Sequence, residues 1–245
     1  SSAASDVYKR QVFDVVNLIA MILVGLIMLM PILNLAAKAF SSEGNVIAGK
    51  VLFWPLGLQT GTIKYVLTTP EFGTSFLVTV TVTITGTIGA MLLTVMAAYP
   101  LSKPHLIGRK FFLYIFVFIM LFSAGMVPNY ILFRTLHLTN TIFALIFSGM
   151  FSSFNLFLIK NYFETLPEVI EEAARIDGAS NMRIFFSVVL PMSTPVLATV
   201  TLYYAVAYWS NYFAGVMYIT DANLKPLQQL SLIHISEPTR PRLIS

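Results

Sequence analysis

The sequence predicts an all-α fold, a polytopic bundle of transmembrane helices, from its composition and from the spacing of its charges. Of the 245 residues, 57% are hydrophobic and 11% are charged, whereas soluble domains carry about 25% charged residues. The charged residues leave five gaps that are long enough for a membrane span, which needs about 20 apolar residues. Because lipid offers the backbone no hydrogen-bond partner, each gap is predicted to be a helix.

The five predicted spans lie at about 15–37, 74–100, 111–133, 139–159 and 192–218. The second contains VTVTVTIT at 78–85, whose strict alternation would predict a strand in a soluble protein. The uncharged stretch runs on to Ser102, however, and threonine hydroxyls in a membrane helix can bond back to the preceding turn. We therefore predict a helix there as well.

Both ends of the chain resemble translated sequencing-adapter DNA. The first stretch, 1–11, reads SSAASDVYKRQ, and 230–240 reads LSLIHISEPTR. We expect 1–11 and 230–245 to be adapter-derived and 12–229 to form the transmembrane domain, by the logic that sets tags aside from fold reasoning. Without the ends, the formal net charge falls from +4 to +2, so the basic balance is no evidence for a nucleic-acid partner.

The orientation follows from the short loop 103–110, which contains Lys103, Arg109 and Lys110. The positive-inside rule places this basic loop in the cytoplasm. Since successive spans alternate in direction, the loop 160–190 is predicted to be cytoplasmic too.

The second cytoplasmic loop predicts a helix, a sharp turn and another helix along the membrane face. Thr165 and Glu168 have the spacing of a capping box, which begins a helix. Gly178 stands where a left-handed cap would end that helix. Ser180 or Asn181 can begin the next one.

The first helix of this loop is predicted to be amphipathic. Its apolar face contains Leu166, Ile170, Ala173 and Ile176. Its polar face contains Glu168, Glu171, Glu172 and Arg175, of which Glu171 and Arg175 are spaced for an i,i+4 ion pair. Such a helix could lie on lipid, but lipid-binding helices are usually rich in Lys and Arg on the polar face. The acidic face instead favours docking to a basic partner.

The sequence of this loop resembles the EAA loop of permease subunits of bacterial ATP-binding-cassette (ABC) importers. The matching residues are Glu172, Ala173, Ala174, Gly178, Val188, Leu190 and Pro191, with Val188 where the family usually has Ile. Three stretches are similar to the carbohydrate-type branch that handles complex oligosaccharides and polysaccharides: AAYPLSKPHLIGRKFF (97–112), MLFSAGMVPNYIL (120–132) and EEAARIDGAS (171–180).

The resemblance implies a multi-pass subunit of the bacterial inner membrane that works with three partners. These are a second permease, a cytoplasmic ATPase and an extracytoplasmic solute-binding protein. The ATPase-coupling residues it implies are Glu171, Glu172, Ala173, Ala174, Asp177, Gly178, Leu190 and Pro191. Family members of this type usually have six spans, so a sixth is expected beyond Gln229, where the adapter-like sequence interrupts the chain.

No catalytic, metal or cofactor site is predicted. The chain has no GxxxxGK[ST] phosphate loop, so we expect ATP hydrolysis on a separate subunit. It has no cysteine, and its three histidines form no HExxH motif. The expected function is therefore that of a permease and not of an enzyme.

A candidate substrate path contains Asn155, Tyr204, Tyr208, Trp209 and Asn211. Aromatic faces and polar tips of this kind can bind a sugar, but an interfacial aromatic belt and helix packing would use the same residue types. No charged residue lies deep in a predicted span, which argues against an ion relay and suits an uncharged solute.

Two other classes fit the predicted spans. A secondary transporter is expected to have discontinuous helices and an intramembrane ionisable site, and neither is evident from the sequence. A non-transporting membrane anchor would explain the spans but not the EAA spacing.

Overall fold

The computed structural model describes residues 2–61, 64 and 68–229, and every regular element in these ranges is helical. This confirms the all-α prediction. The chain divides into two compact units, one ending at Thr69 and one beginning at Pro70. The segment 230–245, which we expect to be adapter-derived, lies outside the described residues.

The first unit is built on α1 (Ser2–Ala39), followed by the short α2 (Glu43–Ile47). The part of α1 from Phe13 to Ala39 is long and apolar enough to cross a membrane, with a mean hydropathy of 2.7, and it contains the first predicted span. The side-chain amide of Asn34 donates to the carbonyl oxygen of Leu52 at 2.6 Å, which ties the following loop back to the helix.

The second unit is organised around α3 (Pro70–Ser102), a helix of 33 residues that is also apolar enough to cross a membrane. The alternating stretch 78–85 is helical, as predicted. The hydroxyls of Thr79, Thr85 and Thr94 each donate to the carbonyl four residues earlier, at 2.6–2.9 Å. These three hydroxyls are thus satisfied within the helix.

The prediction that the third gap is one continuous helix is wrong. The gap contains α4 (Arg109–Leu121) and α5 (Met126–Thr135), whose axes are bent by 112°. The break ends at Gly125, which has φ 84° and ψ 177°, a conformation available essentially to glycine alone.

The fourth gap is also interrupted. It contains α6 (Ile142–Phe147) and α7 (Ser153–Thr165). The second of these runs on beyond the predicted end of the span at 159 and into the predicted loop. The side chain of Ser152 begins α7 by accepting a hydrogen bond from the amide of Asn155.

The fifth gap is divided by prolines. The chain first forms α9 (Asn181–Ile184), a π-helical turn (Phe185–Val189) and α10 (Leu190–Met192). It then bends by 80° into α11 (Thr194–Trp209), which is followed by α12 (Tyr212–Tyr218). Pro195 has no amide hydrogen to donate to the carbonyl of Pro191, and the hydroxyl of Thr194 donates to it instead at 2.7 Å.

Among the described residues, two helices can cross a membrane by length and composition alone, or four segments if each bent pair forms one span. The count of five spans therefore stays a prediction. The sequence showed no sign of discontinuous helices, but the structure contains them. The length of an uncharged stretch does not show where a helix bends.

The core of the second unit forms where α3 packs along α7 and α11. Tyr208 of α11 lies between two glycines, Gly86 of α3 and Gly149, and its hydroxyl donates to the buried carbonyl of Ile146 at 2.7 Å. A Cβ atom at Gly86 would approach the Tyr208 ring to 2.6 Å. This close approach fixes the spacing between α3 and α11.

Replacing Gly86 by Ala is therefore expected to destabilise the bundle by about 1–3 kcal/mol, because the added methyl forces the Tyr208 ring to move. The measurement is the thermal unfolding midpoint of the purified protein in detergent, which should fall. Gly73→Ala is the matched control, since it lies in the same helix and its Cβ would meet no atom within 4 Å. Equal midpoints for the two variants would contradict this account of the packing.

Candidate functional site

The loop 160–190, predicted to be cytoplasmic, contains α8 (Glu168–Ile176), a nine-residue helix. The predicted capping box is wrong. Thr165 belongs to the last turn of α7, where its hydroxyl donates to the carbonyl of Tyr162 at 2.7 Å. Pro167 therefore occupies the N-cap position, without a side-chain hydrogen bond.

The exit from α8 has the predicted geometry. Gly178 has φ 81°, in the left-handed region, and its amide donates to the carbonyl of Arg175 at 3.0 Å. The amide of Ala179 donates to the carbonyl of Ala174 at the same distance. Ser180 then begins α9 by accepting from the amide of Arg183 at 3.3 Å. The predicted helix, sharp turn and helix are thereby confirmed.

Glu171 does not pair with Arg175 as predicted. Its carboxylate instead accepts a hydrogen bond from the ammonium group of Lys103, which directly follows α3. Glu171 is 7% exposed, because it faces the end of α3, whereas Arg175 is exposed. The Lys103 ammonium also lies 5.0 Å from the centre of the Tyr99 ring, within the range of a cation–π interaction.

A second ion-pair cluster holds the start of α4 to α7. Glu164 accepts hydrogen bonds from Arg109 and from Lys160, the latter at 2.8 Å. Arg109 also donates from Nε to the carbonyl of Leu101 at 2.8 Å. The start of α4, the end of α3 and the end of α7 are therefore joined through one arginine.

The outer side of α8 is open. Val169 and Ile176 are 72% and 86% exposed, and Glu172 and Ala173 are exposed between them. Of the predicted apolar face, Leu166 alone is partly packed into the core. The face that the sequence analysis identified as apolar is thus not covered by this chain.

The other predicted coupling residues are distributed around this surface. Ala174 is half-buried against the core, and Asp177 is exposed at the end of α8. Leu190 packs against the core in α10, with Pro191 exposed beside it. Neither of these two residues belongs to α8. They lie where the bent fifth segment begins, and their role in coupling stays a prediction.

A groove of about 350 Å³ lies beside α8 on the same side of the second unit. Its lining includes Tyr99, Lys103, His105, Glu168, Glu172 and Arg175. The groove places acidic side chains of α8 opposite basic groups of the loop that follows α3. The contact between Lys103 and Glu171 leaves no signal in the sequence, because 68 residues separate them.

Most of the predicted substrate-path residues have partners within the protein. Tyr204 is 2% exposed; its hydroxyl accepts from the amide of Ser152 at 3.2 Å and lies 2.7 Å from Thr94 Oγ1. Because Thr94 donates to the carbonyl of Ala90, Tyr204 donates to Thr94. Tyr204 therefore joins α3, α11 and the start of α7.

The remaining path residues have different environments. Asn211 caps α12 by accepting from the amide of Ala214 at 3.1 Å, and Asn155 is buried in α7. Of the five predicted path residues, Trp209 alone is exposed, at 41%, and its ring makes an edge-to-face contact with Phe76. These partners correspond to the alternative of helix packing that the sequence left open.

Tyr204→Phe is expected to lower stability by about 1–3 kcal/mol, because it leaves the partly buried Ser152 amide and the buried Thr94 hydroxyl without their partner. The unfolding midpoint in detergent measures this loss. Tyr203→Phe is the control, since Tyr203 is the neighbouring residue and is 48% exposed. A loss as large in the control would mean that the interhelical hydrogen bonds of Tyr204 are not the cause.

A bundle of apolar, partly broken helices that presents an uncovered amphipathic helix at one end has the architecture of a membrane transport subunit. The chain belongs to the family of binding-protein-dependent transport system inner membrane components, whose sequence profile matches residues 6–232. It is thus a permease subunit of an ABC importer and a multi-pass protein of the inner membrane, which confirms the resemblance found in the sequence.

Relatives and a solved structure support the assignment over most of the chain. Protein LplC of Bacillus subtilis is 39% identical, and the match covers 90% of this chain and 75% of LplC. The polygalacturonan/rhamnogalacturonan transport system permease protein YtcP of the same species is 36% identical, over 91% of this chain and 78% of YtcP.

The solved structure belongs to a bacterial ABC transporter involved in the import of the acidic polysaccharide alginate. It matches with a TM-score of 0.86 and 32% identity, over 94% of this chain and 83% of the matched chain.

Proposed function

We propose that this chain and a second permease form the translocation path for an oligosaccharide, and that a cytoplasmic ATPase drives the path by docking on α8. An extracytoplasmic binding protein delivers the solute, and ATP is hydrolysed on the ATPase subunit. ATP-dependent movement of α8 shifts the bundle between outward-open and inward-open states. The observation that carries this proposal is the uncovered apolar and acidic surface of α8.

The chemistry of that surface fits a protein partner. Val169 and Ile176 are seven residues apart and so lie on one face of the helix. Covering each exposed apolar side chain contributes about 1.5–3 kcal/mol. Ala173, between them, permits close backbone approach, and Glu172 offers a charge that orients a basic group of the partner. The acidic character of this surface disfavours a lipid headgroup layer as the alternative cover.

The turn at Gly178 supports the same role. It ends α8 with a left-handed residue, and α9 and the π-helical turn then lead into the bent fifth segment. A movement of α8 is therefore delivered close to Leu190 and Pro191, where that segment is already interrupted. Broken helices can change their bend with fewer lost hydrogen bonds than continuous ones, because the backbone is already interrupted there.

The substrate class rests on the relatives. YtcP is named for polygalacturonan and rhamnogalacturonan, and the matched structure comes from an importer of alginate. In this chain, Trp209 offers an exposed ring that can stack on a sugar face. Tyr204, Tyr208 and Asn211 position α11 and α12 around it through their hydrogen bonds.

The test is uptake by the complete importer in proteoliposomes, with the partner permease, the ATPase and the binding protein. Three tetrasaccharides serve as probes: tetragalacturonate, an alginate tetramer and the neutral cellotetraose. ATP-dependent uptake of at least one of them is expected, with none when ATP is omitted. Uptake of none of the three tetrasaccharides, by a complex that assembles and hydrolyses ATP, would contradict the proposed substrate class.

A further inference from the structure

The attachment of α8 to the rest of the second unit includes an ion pair made by a buried side chain. Within Glu168–Ile176, all of which the structure describes, Glu171 is the buried residue. The other two acidic residues of this helix, Glu168 and Glu172, are exposed. The inward side of this helix is therefore held by a buried carboxylate, together with Ala174, which is half-buried against the core.

The partner of Glu171 is positioned from two directions. Lys103 directly follows the last residue of α3, and its ammonium group lies against the ring of Tyr99, one turn earlier in the chain. The Lys103 side chain is 27% exposed, and that of Glu171 is 9% exposed. A carboxylate withdrawn from water in this way requires a cationic partner, and breaking the pair from one side leaves an uncompensated charge.

The end of α3 to which α8 is attached leads directly into the core. Leu101 and Ser102 are buried there, and Arg109 ties the Leu101 carbonyl to Glu164 of α7. Along its length α3 packs on α7 and α11. A displacement of α8 that is carried through the ion pair would thus reach the three helices that form the core.

We propose that Lys103 and Glu171 form a strut that transmits movement of α8 to α3, in addition to the chain connection through Gly178. Both are positioning residues, since each acts on the helix of the other through their ion pair. This inference rests on the proposed docking of the ATPase on α8. It gives that site a second route of coupling, through the end of the second predicted span.

The experiment uses the reconstituted importer with Lys103→Glu, Glu171→Lys and the double variant. Two quantities are measured: the ATPase retained per permease after washing, and the stimulation of ATP hydrolysis by binding protein with the mixture of the three tetrasaccharides. Each single variant should retain the ATPase but lose stimulation by about tenfold, within the range of coupling energies between sites. The double variant restores opposite charges and should recover most of the stimulation.

Lys110→Glu is the matched control, because Lys110 is exposed in the same basic region and its reversal changes the local charge equally. It should leave both quantities unchanged. Full stimulation in the single variants would overturn the strut. A double variant that is as poor as the single ones would also overturn it, since the loss would then not depend on pairing.

The outcome is separable from that of the proposed function. Variants on the open side of α8 and at Gly178 test docking itself. If those variants keep full ATPase retention and stimulation, the proposed function fails. If the docking variants lose ATPase retention and stimulation, whereas Lys103→Glu keeps full stimulation, then the strut alone is overturned.

Discussion

Replacing Gly178 by Asp is expected to leave the permease folded and inserted, and to lower solute-stimulated ATP hydrolysis of the complete importer about tenfold or more. Gly178 has φ 81°, and no atom lies within 4 Å of the position a Cβ would take. The effect therefore comes from the backbone, where a side chain in the left-handed region costs about 1–2 kcal/mol, and from a second negative charge beside Asp177. A penalty of 1.4 kcal/mol on the coupled state alone gives about tenfold.

Gly178→Asn is the control for this variant. Asn adopts the left-handed conformation at helix ends more readily than other residues with a side chain, and it adds no charge. The Asn variant should keep most of the stimulation. Equal stimulation in the Gly178→Asp and unmodified importers would contradict the role given to this turn.

The second large effect is expected from Ile176→Asp, which should weaken binding of the ATPase about ten- to a hundredfold. Ile176 is 86% exposed, so the substitution removes no packing within this chain. In the complex it removes the burial of an apolar side chain, worth about 1.5–3 kcal/mol. The measurement is the dissociation constant of the ATPase for permease in detergent or nanodiscs.

Ile107→Asp provides the matched control for that measurement. Ile107 is 94% exposed and lies in the other predicted cytoplasmic loop, outside α8. The control should bind the ATPase as tightly as the unmodified chain. If Ile176→Asp binds equally well, the open side of α8 is not the docking surface.

Features that depend on neighbouring residues could be predicted from the sequence. The second predicted span, 74–100, lies within the observed helix Pro70–Ser102, because twenty or more uncharged residues permit few other structures in lipid. The left-handed turn at Gly178 and the cap at Ser180 are equally local, since each needs only the residues of one helix end.

Features that depend on distant residues could not be predicted. Glu171 has an acceptable partner at Arg175 by spacing, yet it pairs with Lys103, 68 residues away, because it faces the end of α3. In the same way, the residue type of Tyr204 fits a sugar site or a packing role. Its hydrogen bonds to Ser152 and Thr94 depend on how three helices meet.

The breaks in the third, fourth and fifth segments were missed for another reason. Counting uncharged residues measures how long a segment is and not whether it is straight. Gly125 and Pro195 mark two of the breaks, but both residue types also occur inside continuous membrane helices, where neighbouring groups satisfy the freed backbone. The sequence therefore did not distinguish a tolerated proline from a bend of 80°.

The central claim, that the ATPase docks on α8, is tested most directly by site-specific cross-linking. The chain has no cysteine, so a single cysteine can be introduced at Ala173, on the open side of α8, and labelled with a photoreactive maleimide. On irradiation of the assembled importer, this label is expected to cross-link to the ATPase, whereas the same label at Ile107 is not. Cross-linking of the Ala173 position to lipid or to the partner permease, with none to the ATPase, would contradict the claim.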